Sequence, residues 1–354
     1  MKTVISNQDL NPRPGLRRRA LVFGVMFLLL VLVVVLATAL GSVKISMPTI
    51  GNILLSRLPF VEIPHTWADT LETIIIDIRL PRVILAGLVG AALATAGATY
   101  QGLFRNPLAD PYFIGVVQGA ALGAVIAFLL PNGGQSVLIV PLFAFCGALV
   151  SIFMVYNLAR VGKNLPMTTF ILAGVALGAL FGSAVSYLII SSGDKIHGIV
   201  FWLMGSFALS HWLEVWLVLP CVLVGVGVIL LFARHLNVMQ LDEEQAQQLG
   251  INVERLKIIL LAMAVLITAA AVSFTGIIGF VGIIVPHAVR LLWGADHRFL
   301  LPLSVLSGAI FMMLADLLAR SLLAPTEIPV GIITALVGAP FFFYLLRRRR
   351  RVIF

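Results

Sequence analysis

Charged residues are scarce in this sequence: they make up 11% of its 354 positions, whereas the residues AVILMFWYC make up 60%. Soluble domains carry about 25% charged residues, so the composition excludes a soluble globular protein. It also excludes a disordered chain, because such chains are low in hydrophobicity. A helix that crosses a bilayer needs about 20 apolar residues. The composition therefore predicts an all-α polytopic membrane protein.

Cysteine is also scarce, and catalytic motifs are absent. The two cysteines, Cys146 and Cys221, lie inside apolar runs, which excludes a disulfide framework and a metal site of the C-x₂-C kind. The sequence contains no H-E-x-x-H, G-x-S-x-G or G-x-x-x-x-G-K-[ST] motif. The six histidines include no i,i+3 or i,i+4 pair that could hold a metal. We therefore expect no enzymatic activity, no metal and no cofactor bound by this chain.

Apolar segments separated by polar breaks predict ten membrane spans. The eighth is short for a bilayer crossing and contains Pro286, so we expect a kinked or partial helix there. The predicted spans are 20–41, 82–103, 113–130, 137–159, 167–190, 212–234, 257–275, 278–293, 300–319 and 329–346.

The net charge of +9 comes largely from the two ends of the chain, where Arg13 and Arg17–Arg19 precede the first span and Arg347–Arg351 follow the last. By the positive-inside rule both termini are cytoplasmic, which requires an even number of spans. The predicted organisation is a basic N-terminus at 1–19, a transmembrane domain at 20–346 and a basic C-terminus at 347–354. A nucleic-acid-binding arm and a cleaved signal peptide are the disfavoured alternatives, the latter because the first apolar run is too long.

A faint internal repeat relates two of the spans. Arg82 begins a helix that ends at Gly102, and Lys257 begins one that ends at Gly276. Each is followed by a proline-interrupted segment, Asn106-Pro107 in one half and Pro286-His287 in the other. One helix starts outside and the other inside, so the pattern predicts inverted repeats, which are common in transporters.

The most polar segment between spans is 237–257, on the predicted cytoplasmic side. Acidic residues at 242–244 suit the first turn of a helix, and Gly250 suits its C′ position. Asn252 could cap a second short helix. Two spans need only a few residues to connect them, so we interpret the segment as a docking platform for a cytoplasmic partner. A solvated surface loop is the alternative.

Charges also occur on the predicted outer side. Arg79 and Arg82 flank Pro81 at the start of the second span, and Arg320 follows Asp316 by four residues, so this last pair can form on one helix face. Charges inside the membrane or at the mouth of a span are energetically costly and are usually paired or functional. We interpret the arginines as receptors for a partner's carboxylates.

Five stretches together resemble the FecCD family of ABC-importer permeases, in the family's order and across most of the chain. They read RLPRVILAGLVGAALATAGATYQGLFRNPLADP (79–111), LAGVALG (172–178), FWLMGS (201–206), GFVGIIVPHAVRLLWGADHR (279–298) and EIPVGIITALVGAPFF (327–342). The resemblance implies a BtuC-like type II importer fold of ten transmembrane helices. It also implies a homodimer in the cytoplasmic (inner) membrane, with the pathway at the subunit interface.

The same resemblance implies partners and sites. Two copies of a separate ATPase would dock on the coupling loop, at Leu241, Asp242, Glu243, Glu244, Gln248, Leu249 and Gly250. A periplasmic or lipid-anchored binding protein would deliver the cargo, its acidic residues meeting Arg79, Arg82 and Arg320. The cytoplasmic gate would be formed by Asn106, Pro107, Leu108, Met167 and Thr168.

The resemblance implies a metal chelate as cargo. We expect a ferric siderophore, with haem and cobalamin as alternatives, because the apolar helix 167–190 suits a large chelate better than a bare ion. An ion-coupled secondary transporter is the rival from another class. It would need acidic residues near the bilayer midplane, and the only candidates, Glu214 and Asp316, lie near span ends.

Overall fold

The computed structural model describes residues 16–41, 43, 45–57, 63–131, 133–162 and 164–353, and its regular structure within these ranges is helical apart from one isolated bridge between Val161 and Asn164. The helices are α1 (Leu16–Ala39), α2 (Met47–Ser56), α3 (Asp69–Thr73), α4 (Leu80–Leu103), α5 (Val116–Leu129), α6 (Ile139–Ala159), α7 (Met167–Ile190), α8 (Ile196–Leu203), α9 (Trp212–Leu231), α10 (Ala233–Met239), α11 (Glu243–Gln248), α12 (Val253–Thr275), α13 (Val281–Trp293), α14 (His297–Ser321) and α15 (Val330–Ile353). A π-helical stretch, Ile74–Arg79, joins α3 to α4, and short 3₁₀ turns occupy Pro111–Ile114, Gly133–Gln135 and Gly193–Lys195.

Every predicted span coincides with a helix of the structure. Among the described residues, seven helices are long and apolar enough to cross a membrane. Three shorter apolar helices, Val116–Leu129, Val281–Trp293 and Val330–Tyr344, account for the third, eighth and tenth predicted spans. The all-α polytopic fold predicted from composition is therefore confirmed.

Two element boundaries differ from the prediction. The helical run that contains the second span begins at Asp69 rather than 82, so much of the segment predicted to connect the first two spans is helical. The eighth span is a short helix of 13 residues, as predicted, with Pro286 inside it. The last helix continues through the predicted boundary at 346 into the basic segment, while the N-terminal prediction for 1–15 and the prediction for Phe354 lie outside the described residues.

The centre of the bundle is α4, which packs against α9, α12, α13 and α14. Its glycines permit two very close backbone approaches. An idealised Cβ at Gly90 would lie 2.1 Å from the Gly308 carbonyl oxygen, and one at Gly97 would lie 2.0 Å from the Gly282 carbonyl oxygen. Small residues at helix contacts let helices associate tightly in lipid, where apolar side chains gain little by leaving the acyl chains.

Two long helices are peripheral. In the most apolar stretch of 18 residues, only 11% of α1 and 17% of α7 are buried within the chain. The corresponding share is 89% for the helical run that contains α4. Both peripheral helices present apolar side chains outward, including Leu28 on α1 and Leu180 on α7. These faces are available to lipid or to another subunit. The inverted-repeat relation between α4 and α12 stays a prediction.

Candidate functional site

The predicted coupling loop forms a short helix with a defined end. Asp242 occupies the N-cap position of α11, although its side chain makes no capping hydrogen bond. Gly250 has a φ of 83°, its N–H donates to Gln247 O, and the N–H of Ile251 donates to Ala246 O. This pair of bonds is a Schellman motif, in which the left-handed position favours glycine. The prediction that Gly250 terminates this helix is confirmed.

The second short helix predicted after Asn252 is wrong. Asn252 does cap a helix, because its Oδ1 accepts from the Arg255 N–H at 3.0 Å. That helix is α12, which continues for 23 residues to Thr275. Nothing interrupts the turn beginning at Val253, since the apolar pattern of the span follows it directly. The platform is therefore one short helix leaning on the start of a long one.

Lys257 connects this helix to the loop before α7. Its ammonium is buried and lies 2.7 Å from Glu243 Oε2 and 3.0 Å from Glu254 Oε1. Glu254 Oε2 accepts from the Leu165 N–H at 2.9 Å, and the Lys257 ammonium lies 3.5 Å from Leu165 O. Two residues further on, α7 begins at Met167. In the sequence Lys257 marks the predicted start of a span, and its spacing of three residues from Glu254 also indicates an ion pair on one helix face.

Arg105 connects the same helix to the segment after α4. Its Nη1 lies 3.0 Å from Asp242 Oδ1. A cavity of about 490 Å³ opens beside this pair, lined by Leu103, Phe104, Arg105, Met167, Asp242, Glu243 and Glu244. The structure thus links the start of α11 to Arg105, directly before the predicted gate segment 106–108, and through Lys257 to Leu165, two residues before Met167.

The segment after α4 turns sharply beside a second cavity. Arg105 has a φ of 49°, and the Asn106 Oδ1 accepts from the Leu108 N–H at 3.0 Å, which fixes an Asx turn. The cavity, of about 310 Å³, is lined by Phe104, Asn106, Leu108, Ala109, Asp110, Ile171, Ile283 and Phe342. Asn106 and Leu108 therefore share one cavity, and Met167 lines the other. Pro107 is half-buried and Thr168 is exposed, and neither belongs to either lining.

Asp110 is a buried carboxylate in this second cavity that sequence reasoning missed. Burial raises its pKa to about 6, although the hydrogen bond from the Tyr112 N–H at 2.9 Å acts in the opposite direction. Within the part of the chain that the structure describes, no arginine or lysine lies within ion-pair distance of it. An Asp directly before Pro is a common helix-start signal, which could have indicated its capping role.

The three arginines predicted to receive a binding protein are buried in the structure. Arg82 donates from Nη2 to Asp316 Oδ1 at 2.8 Å and from Nη1 to Glu327 Oε1 at 2.9 Å. Arg320 Nε lies 3.4 Å from Asp316 Oδ2, so the ion pair predicted on this helix face is confirmed. Together Arg82, Asp316, Arg320 and Glu327 form what we call the buried ion network.

The buried ion network also holds the end of α1. Arg79 donates from Nη1 to the carbonyl oxygens of Thr38 and Ala39, and Arg320 donates to that of Ala37. Cations are favourable at a helix C-terminus, where carbonyl groups lack intrahelical partners. Docking to a partner's carboxylates requires free guanidinium groups. The structure corrects this expectation, because acceptors of the same chain bind all three arginines, and the docking role stays a prediction.

Comparison with known proteins gives concordant matches. A model of the FecCD transport family matches residues 29–348. The cobalamin import system permease protein BtuC of Halobacterium salinarum is 51% identical over 274 residues, which cover 77% of this chain and 73% of that protein. The hemin transport system permease protein HmuU of Yersinia pestis is 39% identical over 330 residues, covering 91% and 94%. A solved metal-chelate type ABC transporter in an inward-facing conformation is 35% identical with a TM-score of 0.80, covering 93% and 99%.

Proposed function

The chain belongs to the FecCD transport family, and on this basis we propose that it carries a metal chelate through the cytoplasmic membrane between two permease copies. Membership of the family establishes the general role of the chain. The chain is a membrane-embedded permease subunit of an ABC importer, and ATP hydrolysis belongs to partner subunits. The cargo, the dimer and the coupling route are proposals.

For the cargo we propose a ferric siderophore, with cobalamin and haem as the alternatives. The names of two relatives, a cobalamin and a hemin permease, support a large metal chelate as the class. The outward face of α7 supports the same class. Its hydroxyl-bearing side chains Ser183 and Ser186 donate back to the carbonyl oxygens four residues earlier, which leaves a weakly polar surface. Such a surface suits a bulky chelate and offers no ligand set for a bare ion.

For the assembly we propose a homodimer with both termini on the ATPase side. The exposed apolar face of α7 supports a second copy across the pathway. A binding protein would dock at the end of the bundle that carries Arg79, Arg82 and Arg320. Because these guanidinium groups are engaged, a partner's carboxylate would have to replace Glu327 at Arg82. Glu327 is the more accessible of the two acids, with a side chain 33% exposed against 2% for Asp316.

The coupling route carries this proposal, and it depends on one observation. The start of α11 forms two ion pairs, one with Arg105 directly before the segment 106–108 and one with Lys257, which contacts Leu165 before α7. Closure of the ATPase pair would displace α11. The Asp242–Arg105 pair would transmit that displacement to the segment 105–108, and the Glu243–Lys257 pair would transmit it to the loop before α7. ATP shifts the equilibrium between inward-open and outward-open states only through its different affinity for the two.

The test uses the permease with its own ATPase and binding protein, reconstituted in liposomes. Glu244 is exposed on α11, so Glu244→Lys should leave the fold intact while it disturbs ATPase docking. We expect ATP-driven uptake to fall at least tenfold. The matched control is Asp194→Lys, which reverses an exposed acid in a 3₁₀ turn outside the platform and should keep uptake within twofold. Equal uptake by both variants would contradict the coupling role of α11.

The same liposomes identify the cargo when they are offered a labelled ferric siderophore, cobalamin and haem in turn. ATP-dependent accumulation of one chelate would select it. A proton- or sodium-driven transporter would instead accumulate cargo without ATP when an ion gradient is imposed. The buried ion network argues against one of that rival's two candidate acids, since Asp316 lies between Arg82 and Arg320 and is not free to bind a coupling ion.

A further inference from the structure

A third cavity lies apart from the gate and the buried ion network. It has a volume of about 720 Å³ and is bounded by the start of α1 and the turn between α13 and α14. Among the residues that the structure describes, four guanidinium groups line it, from Arg18, Arg19, Arg290 and Arg298, against one carboxylate. Neither the coupling route nor the gate uses this basic cavity. Asn237 of α10, the helix preceding α11, lines it as well, so it lies at the ATPase end of the bundle.

The one carboxylate of the basic cavity is already engaged. Asp296 Oδ1 accepts from the Asn237 side-chain amide at 2.7 Å and from the Arg298 N–H at 3.0 Å, where it caps α14. Burial acts to raise the pKa of Asp296, but these hydrogen bonds and the charges of Arg19 and Arg298 lower it overall. A single carboxylate cannot neutralise four guanidinium groups, so the cavity has an excess of positive charge.

Arg19 lines this cavity and has a buried donor that makes no hydrogen bond to the described residues. Its guanidinium carbon lies 5.5 Å from the centre of the Phe299 ring, which holds the side chain in place by a cation–π contact. Its Nε is buried and has no hydrogen-bond partner among the described residues. The nearest carboxylate oxygen, Asp296 Oδ2, lies 3.7 Å from Nη2, which is too far for a hydrogen bond. Such a prepositioned guanidinium suits an anion with several oxygens.

Apolar side chains continue from the basic cavity to the outside of the bundle. Leu291 and Leu292, at the end of α13, are 52% and 68% exposed. Leu21, one helical turn after Arg18 on α1, is 66% exposed. Trp293 lines the cavity between them, and tryptophan is favoured at membrane–water interfaces. An anion that fits here has a charged part for the arginines and an apolar part for the leucines.

We propose that this cavity binds the phosphodiester headgroup of an anionic phospholipid, with the acyl chains along Leu291, Leu292 and the exposed face of α1. Basic pockets between transmembrane helices on the cytoplasmic side are suited to such headgroups. A free phosphate would use the arginines but not the leucines, and an acidic segment of a partner protein would leave the leucines uncovered. The proposal does not depend on the cargo or on coupling.

The test uses the full-length permease, purified and stripped of lipid, and measures bound lipid by native mass spectrometry. Phosphatidylglycerol, phosphatidylcholine and inorganic phosphate are added in separate titrations. We expect one tightly held phosphatidylglycerol per chain, with an affinity at least tenfold above that for phosphatidylcholine. The double variant Arg19→Gln/Arg298→Gln should reduce this preference at least fivefold. Arg17→Gln/Arg234→Gln removes the same charge from exposed arginines that do not line the cavity, and should change it less than twofold.

A second measurement keeps the proposal testable if the double variant fails to fold. Brominated phosphatidylglycerol should quench the fluorescence of Trp293 in the native permease, measured as the difference from Trp293→Phe, and brominated phosphatidylcholine should not. Equal retention of the two lipids, equal losses in both double variants, or saturation by inorganic phosphate alone would each overturn the proposal. Because no ATP or cargo is present, failure here would leave the transport proposal intact.

Discussion

The two ends of the bundle handle charge in opposite ways. At one end, Arg82, Asp316 and Arg320 are buried and engage one another, with Glu327 at the rim. At the other end, the Asp242 side chain is 77% exposed and Glu244 is also exposed, although α11 is anchored from beneath by the buried Lys257. The charged groups of the first end pair with one another within the chain. Those of the second end are exposed to solvent, on a helix that the buried Lys257 holds in place.

This difference indicates that ion pairs at the second end can break and re-form more easily than those at the first. A buried ion pair loses most of its hydration and is costly to open, so the buried ion network fixes α1, α4 and α14 relative to each other. Exposed ion pairs contribute about 0–1 kcal/mol, so the Arg105–Asp242 pair can open and re-form when α11 moves. The segments that we propose as the gate adjoin this second end, through Arg105 and Lys257.

The largest effect on stability is expected from disrupting the buried ion network. Arg82→Gln removes the cation shared by Asp316 and Glu327 and leaves a buried carboxylate beside Arg320 alone. Removing one partner of a buried pair costs about 3–5 kcal/mol. Thermal unfolding in detergent should show this loss. The control at the same end is Arg57→Gln, which removes the exposed ion pair with Glu72 and should cost under about 1 kcal/mol. Equal destabilisation by the two variants would refute the structural role of the buried ion network.

Removing the buried lysine that holds α11 should reduce stability by a smaller amount. Lys257→Met leaves Glu243 and Glu254 without their cation, but both acids are partly exposed and can be hydrated. We expect about 2–3 kcal/mol of destabilisation, together with ATP hydrolysis that no longer drives uptake. Arg255→Met is the matched control, since Arg255 is exposed on the same turn of α12. If Arg255→Met lost coupling equally, the anchoring role of Lys257 would be wrong.

The comparison can be sharpened with pH, because Asp110 is buried with no cation beside it among the described residues, whereas Asp316 has two. The pKa of Asp110 is raised from 3.8 to about 6, so the folded state binds this proton more tightly than the unfolded state. Its contribution to stability is full below pH 3.8 and is lost as the pH rises through about 6. Relative to Asp110→Asn, the native permease should lose about 2 kcal/mol between about pH 4.5 and 7.5. Parallel unfolding midpoints across this range would contradict the assignment.

The smallest effect is expected from two alanine substitutions that impose similar backbone strain at different places in the chain. Gly250 and Gly193 both have a positive φ, of 83° and 56°, and an idealised Cβ at either would meet nothing within 4 Å. Alanine at each should cost about 1 kcal/mol, because only the left-handed backbone opposes it. Only Gly250→Ala should also lower the ratio of cargo moved to ATP hydrolysed. The two ratios are compared in the same liposomes, and an equal decrease would remove the coupling loop from the explanation.

The sequence predicted what depends on local pattern. Hydropathy located the spans because each helix in lipid must satisfy its own backbone hydrogen bonds. Gly250 marked the end of α11 because its requirement is a single dihedral angle. The partners of Arg82 could not be found in this way, since Asp316 and Glu327 lie 234 and 245 positions later. Burial likewise depends on the packed bundle, and so the sequence argument took the three arginines to be free.

These long separations also impose an order on biosynthesis. When the ribosome has completed α4, neither carboxylate that will pair with Arg82 has yet been made, and hydrocarbon is a poor solvent for a lone guanidinium. The start of α4 must therefore wait at the water interface or within the insertion machinery until α14 and Glu327 emerge. A nascent chain that stops before Asp316 would carry Arg82 without either of its carboxylates. The network can thus form only after α14 and Glu327 have been made, while α15 still follows.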